Sequence, residues 1–336
     1  MLRSLTPRIG EMDATRMTQR LHDAELPIDI DLVRRLVDSQ FPQYATLPLS
    51  RLGASGSTNL LFRLGDELLV RLPRQSGGSA AIDKEFRWLP TIGPHLPVAV
   101  PEIVALGDPA LGYSEQWAIL RWLDGTLAKA CAPEDAPIMA RSALAVDLAE
   151  VILALRAADV PPRAATDPAL RSYRGRPLVK FDRQMRRNVE QCRTIEGLDV
   201  DLDAALVVWN EALKAHGARD AGPDRWFHGD LVAENLLLTE GRLTAVLDFG
   251  GLSIGDPTID LHGAWEVLDP PAREVFRTRL EASDAEWLRG RAWALAIALG
   301  ALAYYWTTMP GRRRDRLAMA KSVLSDVAGG PASSQG

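Results

Sequence analysis

The sequence predicts an α+β chain of two unlike lobes, β-rich in its N-terminal part and mainly helical afterwards. Three observations carry this. Short apolar runs between about residues 47 and 125 are broken by Gly-, Pro- and Asp-rich turns, which is a strand pattern. From about residue 138 onward, apolar residues recur at helical spacing. The composition, 336 residues with 47% hydrophobic and 25% charged, is that of an ordinary globular chain long enough to bury a large core without disulfides or structural metals.

Residues 1 to about 25 read as a lead-in without the apolar stretch of an export signal. "PIDIDLVRRLVDSQFP" predicts a short amphipathic helix, with Ile30, Leu32, Val33, Leu36 and Val37 near one face and Pro42 as its stop. "LPLSRLGASGSTNLLFRLGDELLVRLPR" predicts a β-meander with turns at "GASGST" and "LGDE". "AIDKEFRWLPTI" follows as a helix that carries Glu85, and "VPEIVALGDPALGYSEQWAILRWLDG" as two further strands. "IMARSALAVDLAEVILALRAAD" is a long helix with Leu144, Leu148, Ile152 and Leu155 on one side. From Thr258 to about residue 327 the pattern is again helical. The expected division is an N-terminal lobe over residues 1–122, a C-terminal lobe over 123–327, and a disordered tail over 328–336.

Charge and cysteine content narrow the class. The formal net charge is -5, which argues against a nucleic-acid partner. Cys131 and Cys192 are far apart and in no metal-like spacing, which fits a reducing, cytoplasmic setting. The longest apolar run, Ala292 to Trp306, is about 15 residues, short for a bilayer span and expected to be a buried helix, so no membrane partner is expected.

The chemistry concentrates in "WFHGDLVAENLLL" and "RLTAVLDFGGLSIGDPTIDL". "NLLLTEGRLTAVLDF" reads as a hairpin turning at "TEGR". A hairpin returns its exit to its entrance, so Asp230 and Asn235 before it and Asp248 after it converge. A carboxylate and an amide oxygen at one point suit a hard cation such as Mg²⁺. A second carboxylate beside them can orient a hydroxyl and accept its proton. This is equipment for phosphoryl transfer.

"HGDLVAEN" resembles the catalytic loop of protein kinases, with His-Gly-Asp where those have His-Arg-Asp and the same Asp-to-Asn spacing, and "LDFG" resembles their metal-binding Asp-Phe-Gly. The His-Gly-Asp form with "IGDPTIDL" downstream is similar to the aminoglycoside phosphotransferase family, small-molecule kinases with a bilobal protein-kinase-like fold. The resemblance runs from about residue 45 to 310 and is sharp from Trp226 to Leu261.

It implies that Asp230 is the catalytic residue, that Asn235 and Asp248 hold Mg²⁺ on the phosphates of ATP or GTP, and that His228, Asp256 and Asp260 support the loop. Asp256, ahead of Pro257, is also a natural N-cap. For the nucleotide it implies a small-residue turn with Gly53, Ser55, Gly56 and Ser57, a cation from the next strand, and Glu85 to hold that cation. Here the cation is Arg71 in "LLVRLPR", where kinases place lysine; arginine stays charged and can fork onto phosphates. Lys84 should point elsewhere. Backbone groups from Arg121 to Leu123 would meet the purine, and Trp122 is expected to pack in the core rather than on substrate. Glu266 and Asp269 are candidate acceptor-site acids, and the aromatics of "ALAYYW" candidate pocket walls.

The expected partners are a nucleotide and a small-molecule acceptor, either an antibiotic of aminoglycoside or macrolide type or a related small alcohol. A nucleotide-binding pseudoenzyme, which Arg71 would favour, is the alternative. A protein kinase is disfavoured, because "FGGLSIGDP" leaves no room for an activation segment.

Overall fold

The structure is a computed structural model and describes residues 21, 24–53, 57–130, 138–215 and 223–328. Ser55, Gly56, Cys131, most of the lead-in and the tail from residue 329 lie outside the described residues.

Asp29 accepts a hydrogen bond from the Leu32 N–H and so caps helix α1 (Ile30–Gln40), which buries Leu32, Val33, Leu36 and Val37. That face packs on a sheet built from β1 (Leu49–Arg51), β2 (Asn59–Leu64), β3 (Leu68–Pro73), β4 (Ile103–Gly107) and β5 (Trp117–Arg121) in the antiparallel order β1-β2-β3-β5-β4. In β2, Leu60, Phe62 and Leu64 alternate toward α1. In β3, Val70 and Leu72 do the same, which sends Leu69 and Arg71 to the other face. Helix α2 (Ser79–Ile92) covers that face and presents Ile82, Glu85, Trp88, Leu89 and Ile92 inward at helical spacing.

After β5 the chain forms β6 (Thr126–Leu127) and then the long helix α3 (Ile138–Ala157), in which Leu144, Leu148, Ile152 and Leu155 are all buried. We place the lobe boundary at residues 122–123, between the end of β5 and β6. The short α4 (Pro162–Ala165), then α5 (Asp182–Arg193) and α6 (Leu202–Ala215), lead to β7 (Arg225–Phe227), β8 (Leu236–Thr239), β9 (Arg242–Val246) and β10 (Ser253–Gly255). The rest is α7 (Ala264–Val267), α8 (Pro270–Arg279), α9 (Asp284–Tyr305) and α10 (Pro310–Ala328). Helix α9 contains most of the longest apolar run, and it is a core helix whose Gly290 lies against Leu261. Among the described residues no helix is long and apolar enough to cross a membrane.

The β8–β9 hairpin turns at Glu240 (φ 52°) and Gly241 (φ 78°), the two left-handed positions of a tight hairpin turn. It is anchored from both sides. Ala99 bonds to it through Ala99 N–H to Thr244 O, 2.9 Å, and Val246 N–H to Ala99 O, 3.0 Å. From α3, the Asp147 carboxylate takes the Arg242 guanidinium at 2.6 and 2.8 Å and the Leu243 N–H at 3.0 Å. Arg242, with the backbone bond, holds the Asp147 carboxyl below its usual 3.8. A depressed carboxylate stabilises the fold above its unfolded-state pKa, and that stabilisation disappears as pH falls through the folded value. Asp147→Asn should therefore lower the urea midpoint at pH 7 and pH 5 by the same amount, and the gap to the parent should narrow only below about pH 4.

Candidate active site

The hairpin brings Asp230, Asn235 and Asp248 to one end of a cleft of 1610 Å³ that lies between the sheet and the helical part. That volume exceeds a typical single-ligand pocket and has room for a nucleotide and a second molecule.

The loop that carries Asp230 is held by a buried carboxylate. Asp260 accepts from the His228 N–H at 2.8 Å and the Gly229 N–H at 2.6 Å. His228 is fully buried, and its Nδ1 accepts from the Asp230 N–H at 3.1 Å. The ring is therefore the tautomer with its proton on Nε2, which donates to Leu247 O at 3.0 Å. Phe249 stands edge-on to this ring at 4.6 Å between centroids. His228 thus ties the loop before the hairpin to the residue ahead of Asp248. Asp256 caps the turn Pro257–Gly263 by accepting from the Thr258 N–H at 3.0 Å, and pairs with the buried Arg289 at 3.3 Å.

Asn235 donates its amide N–H₂ to Asp230 O at 2.8 Å and to Asp230 Oδ2 at 3.3 Å, which leaves its amide oxygen for another partner. Asp248 is left-handed (φ 56°, ψ 72°), a conformation tolerable for Asp, with Oδ1 accepting from the Gly250 N–H at 3.3 Å. Burial, then the Glu85 carboxylate, push the Asp248 carboxyl up against the pull of Arg71. Such a carboxylate is short of positive charge. Among the described residues no cluster of three or more His, Cys, Asp or Glu could hold a metal alone. The amide oxygen of Asn235 and the carboxylate of Asp248 do fit the Mg²⁺ mode, in which phosphate oxygens and waters complete the shell.

Arg71 donates to Glu85, and both are buried. Burial alone would lower the Arg71 pKa, but Glu85 and Asp248 raise it, so it stays cationic. Arg71 Nε and Glu85 Oε1 have no hydrogen-bond partner among the described residues. Burial rules out an ordinary surface pair. Lys84 does point elsewhere: its ammonium bonds Gly250 O at 2.6 Å and Leu252 O at 3.1 Å. Gly53, Ser57, Arg121, Trp122 and Leu123 line the cleft. The Arg121 and Trp122 N–H groups are taken by Glu102 O and Glu67 O. Trp122 is not in the core; it lines the cleft under the Arg63 guanidinium, 3.5 Å from the ring centre.

The model of the phosphotransferase enzyme family matches residues 50–293. The chain belongs to that family. Solved structures agree in fold. The GDP complex of an aminoglycoside 2'-phosphotransferase matches with a TM-score of 0.65 at 19% identity, over 88% of this chain and 97% of that one. A gentamicin complex of a second aminoglycoside phosphotransferase matches at 0.60 and 16%, over 89% and 97%. The macrolide 2'-phosphotransferase of Brachybacterium faecium matches at 0.56 and 23%, over 88% and 98%. The α+β, bilobal, kinase-like fold expected from the sequence is the fold observed, and the chain is an enzyme, a phosphotransferase.

Besides Trp122, the two candidate acceptor-site acids of this phosphotransferase lie away from the cleft. Glu266 is buried and does not reach the cleft; its carboxylate accepts from Arg316 at 2.6 Å and from the Ala233 N–H at 3.3 Å. Asp269 caps α8 by accepting from the Ala272 N–H at 2.9 Å, and it too lies off the cleft. Its two following prolines were the cap signal. Sequence reasoning missed Arg174, which donates to Asp230 Oδ1 at 2.9 Å and also to Gly229 O. It missed Glu234, which joins Arg312 at 2.6 Å and Arg316 at 3.2 Å beside Asn235.

Asp260→Asn should test the brace. An amide offers one acceptor where the carboxylate offers two, so one buried N–H is orphaned, at a cost of about 1–3 kcal/mol. Chemical denaturation should show that loss of stability.

Proposed function

We propose that this phosphotransferase is a Mg²⁺- and ATP- or GTP-dependent O-phosphotransferase that acts on a hydroxyl of a bulky small molecule, an antibiotic or a related alcohol. The observation that carries the reading is the convergence of Asp230, Asn235 and Asp248 at one end of the hairpin. The nucleotide would lie along the sheet, with its purine at Leu123 and its phosphates toward Arg71. Asn235 and Asp248 would hold the cation, which when bound neutralises phosphate charge.

Asp230 would hold the acceptor hydroxyl. Burial alone would push its carboxyl up, but the Arg174 guanidinium, joined by His262 and Arg316, holds it well below the usual carboxylate range. So weak a base orients the hydroxyl first and takes its proton late, as suits a loose transition state. The acceptor oxygen forms its bond to the γ-phosphorus. The bond from that phosphorus to the β-phosphate oxygen breaks, and its electron pair leaves with the nucleoside diphosphate.

The far end of the cleft bears on the acceptor. Its walls are aromatic (Tyr173, Phe181, Trp293, Tyr304, Tyr305), with the neutral Gln184 and Asn188 among them. The acids between these walls and the hairpin are paired: Asp230 with Arg174, Glu234 with Arg312 and Arg316, Asp315 with Arg314. Such walls favour a largely apolar acceptor, as macrolides are, over a polycation that needs free carboxylates.

The test is incubation with Mg²⁺, ATP or GTP, and a panel of macrolides, aminoglycosides and small alcohols, followed by mass spectrometry. A macrolide-like acceptor should gain one phosphate, about 80 Da. Asp230→Asn should remove at least about 10²-fold of the turnover while calorimetry shows nucleotide still bound. A fully active Asp230→Asn would overturn the mechanism.

A further inference from the structure

The loop "HGDLVAEN" brings no cation of its own to the reacting group; Leu231, Val232 and Ala233 follow Asp230 and are buried and apolar. The other cations near the hydroxyl end are engaged. Lys84 bonds two backbone carbonyls, and Arg312 and Arg316 are tied to Glu234 and Glu266. Arg71 sits at the nucleotide end with Glu85. A group in transfer nevertheless spreads negative charge over its equatorial oxygens, and a fixed cation there is worth much of the rate.

Arg174 lies on a segment far from the loop in sequence and is built into place. Its turn, Tyr173–Gly175, is capped by Ser172. Gly175 is packed so closely on Phe227 that a Cβ there would stand 2.4 Å from the ring, and its carbonyl accepts from the Asp256 N–H at 3.1 Å. Tyr173 is stacked on Phe181 at 5.3 Å and 12°, and its hydroxyl accepts from Arg174 Nε at 3.0 Å. Arg174 Nη1 holds Gly229 O and Asp230 Oδ1. Nη2 has no partner among the described residues, and the side chain, 23% exposed, lines the cleft.

We propose that Arg174 is a catalytic residue of the phosphoryl transfer: Nη1 fixes the Asp230 carboxylate while Nη2 meets an equatorial oxygen of the phosphoryl group in flight. One guanidinium then spans nucleophile holder and migrating group, and its aromatic and backbone clamps keep it from following the phosphate away. This rests on the phosphotransfer reading of the site. It adds a residue that composition, spacing and motif do not reveal.

The experiment uses ADP with Mg²⁺ and aluminium fluoride, a mimic of the phosphoryl group in flight, measured by calorimetry against ADP with Mg²⁺ alone. In the parent, fluoride should tighten ADP binding. In Arg174→Ala the tightening should fall at least about tenfold, while ADP alone binds as in the parent, which also reports an intact fold. Arg174→Lys should retain part of the tightening, and added guanidinium should restore part of it to Arg174→Ala. An Arg174→Ala protein with the parent's full fluoride response overturns the proposal and leaves the phosphotransfer site standing. A parent that shows no fluoride response overturns both.

Discussion

The site depends on one buried carboxylate. Asp260 sits where water cannot reach, and burial pushes its carboxyl up. It remains there because two adjacent backbone N–H groups, of His228 and Gly229, point at it together. Each side of this contact satisfies a group that would otherwise be costly to bury. Asp230 follows immediately on the chain, so its position is fixed by a contact that it does not itself make. His228 extends the constraint across the hairpin to Leu247, and Phe249 packs on the same ring. The loop that carries Asp230 and the residue that would hold the cation are thus referenced to one point in the core.

How much of this was legible in the sequence follows from the range of the interactions. The hairpin is local: two apolar strands and a Glu-Gly turn declare themselves, and they force Asp230, Asn235 and Asp248 together. The Arg71–Glu85 pair was also within reach, because a strand register and a helix face are both periodic. Asp256 was readable from the proline after it.

What was not readable are contacts between segments that share no pattern. Glu266 lies in a helical stretch where nothing marks it as the partner of Arg316, 50 residues on. Arg174 sits in "SYRGRP", an irregular run whose place is set by how tightly Gly175 nests against Phe227 and Gly255. Glycine contacts of that kind depend on the finished packing and leave no trace in spacing. Trp122 was expected in the core, yet Arg63 on β2 holds its ring at the cleft.

Lys84 has a wider consequence. By bonding Gly250 O and Leu252 O it staples α2 to the residues just after Asp248, and only six residues separate Asp248 from Gly255. A segment so short and so fastened has little slack to populate a second arrangement. Apparent affinity in a protein with a dormant conformer is reduced by the fraction that is dormant. A segment fastened in this way leaves little room for such a conformer, so the proposed turnover would follow the supply of nucleotide and acceptor.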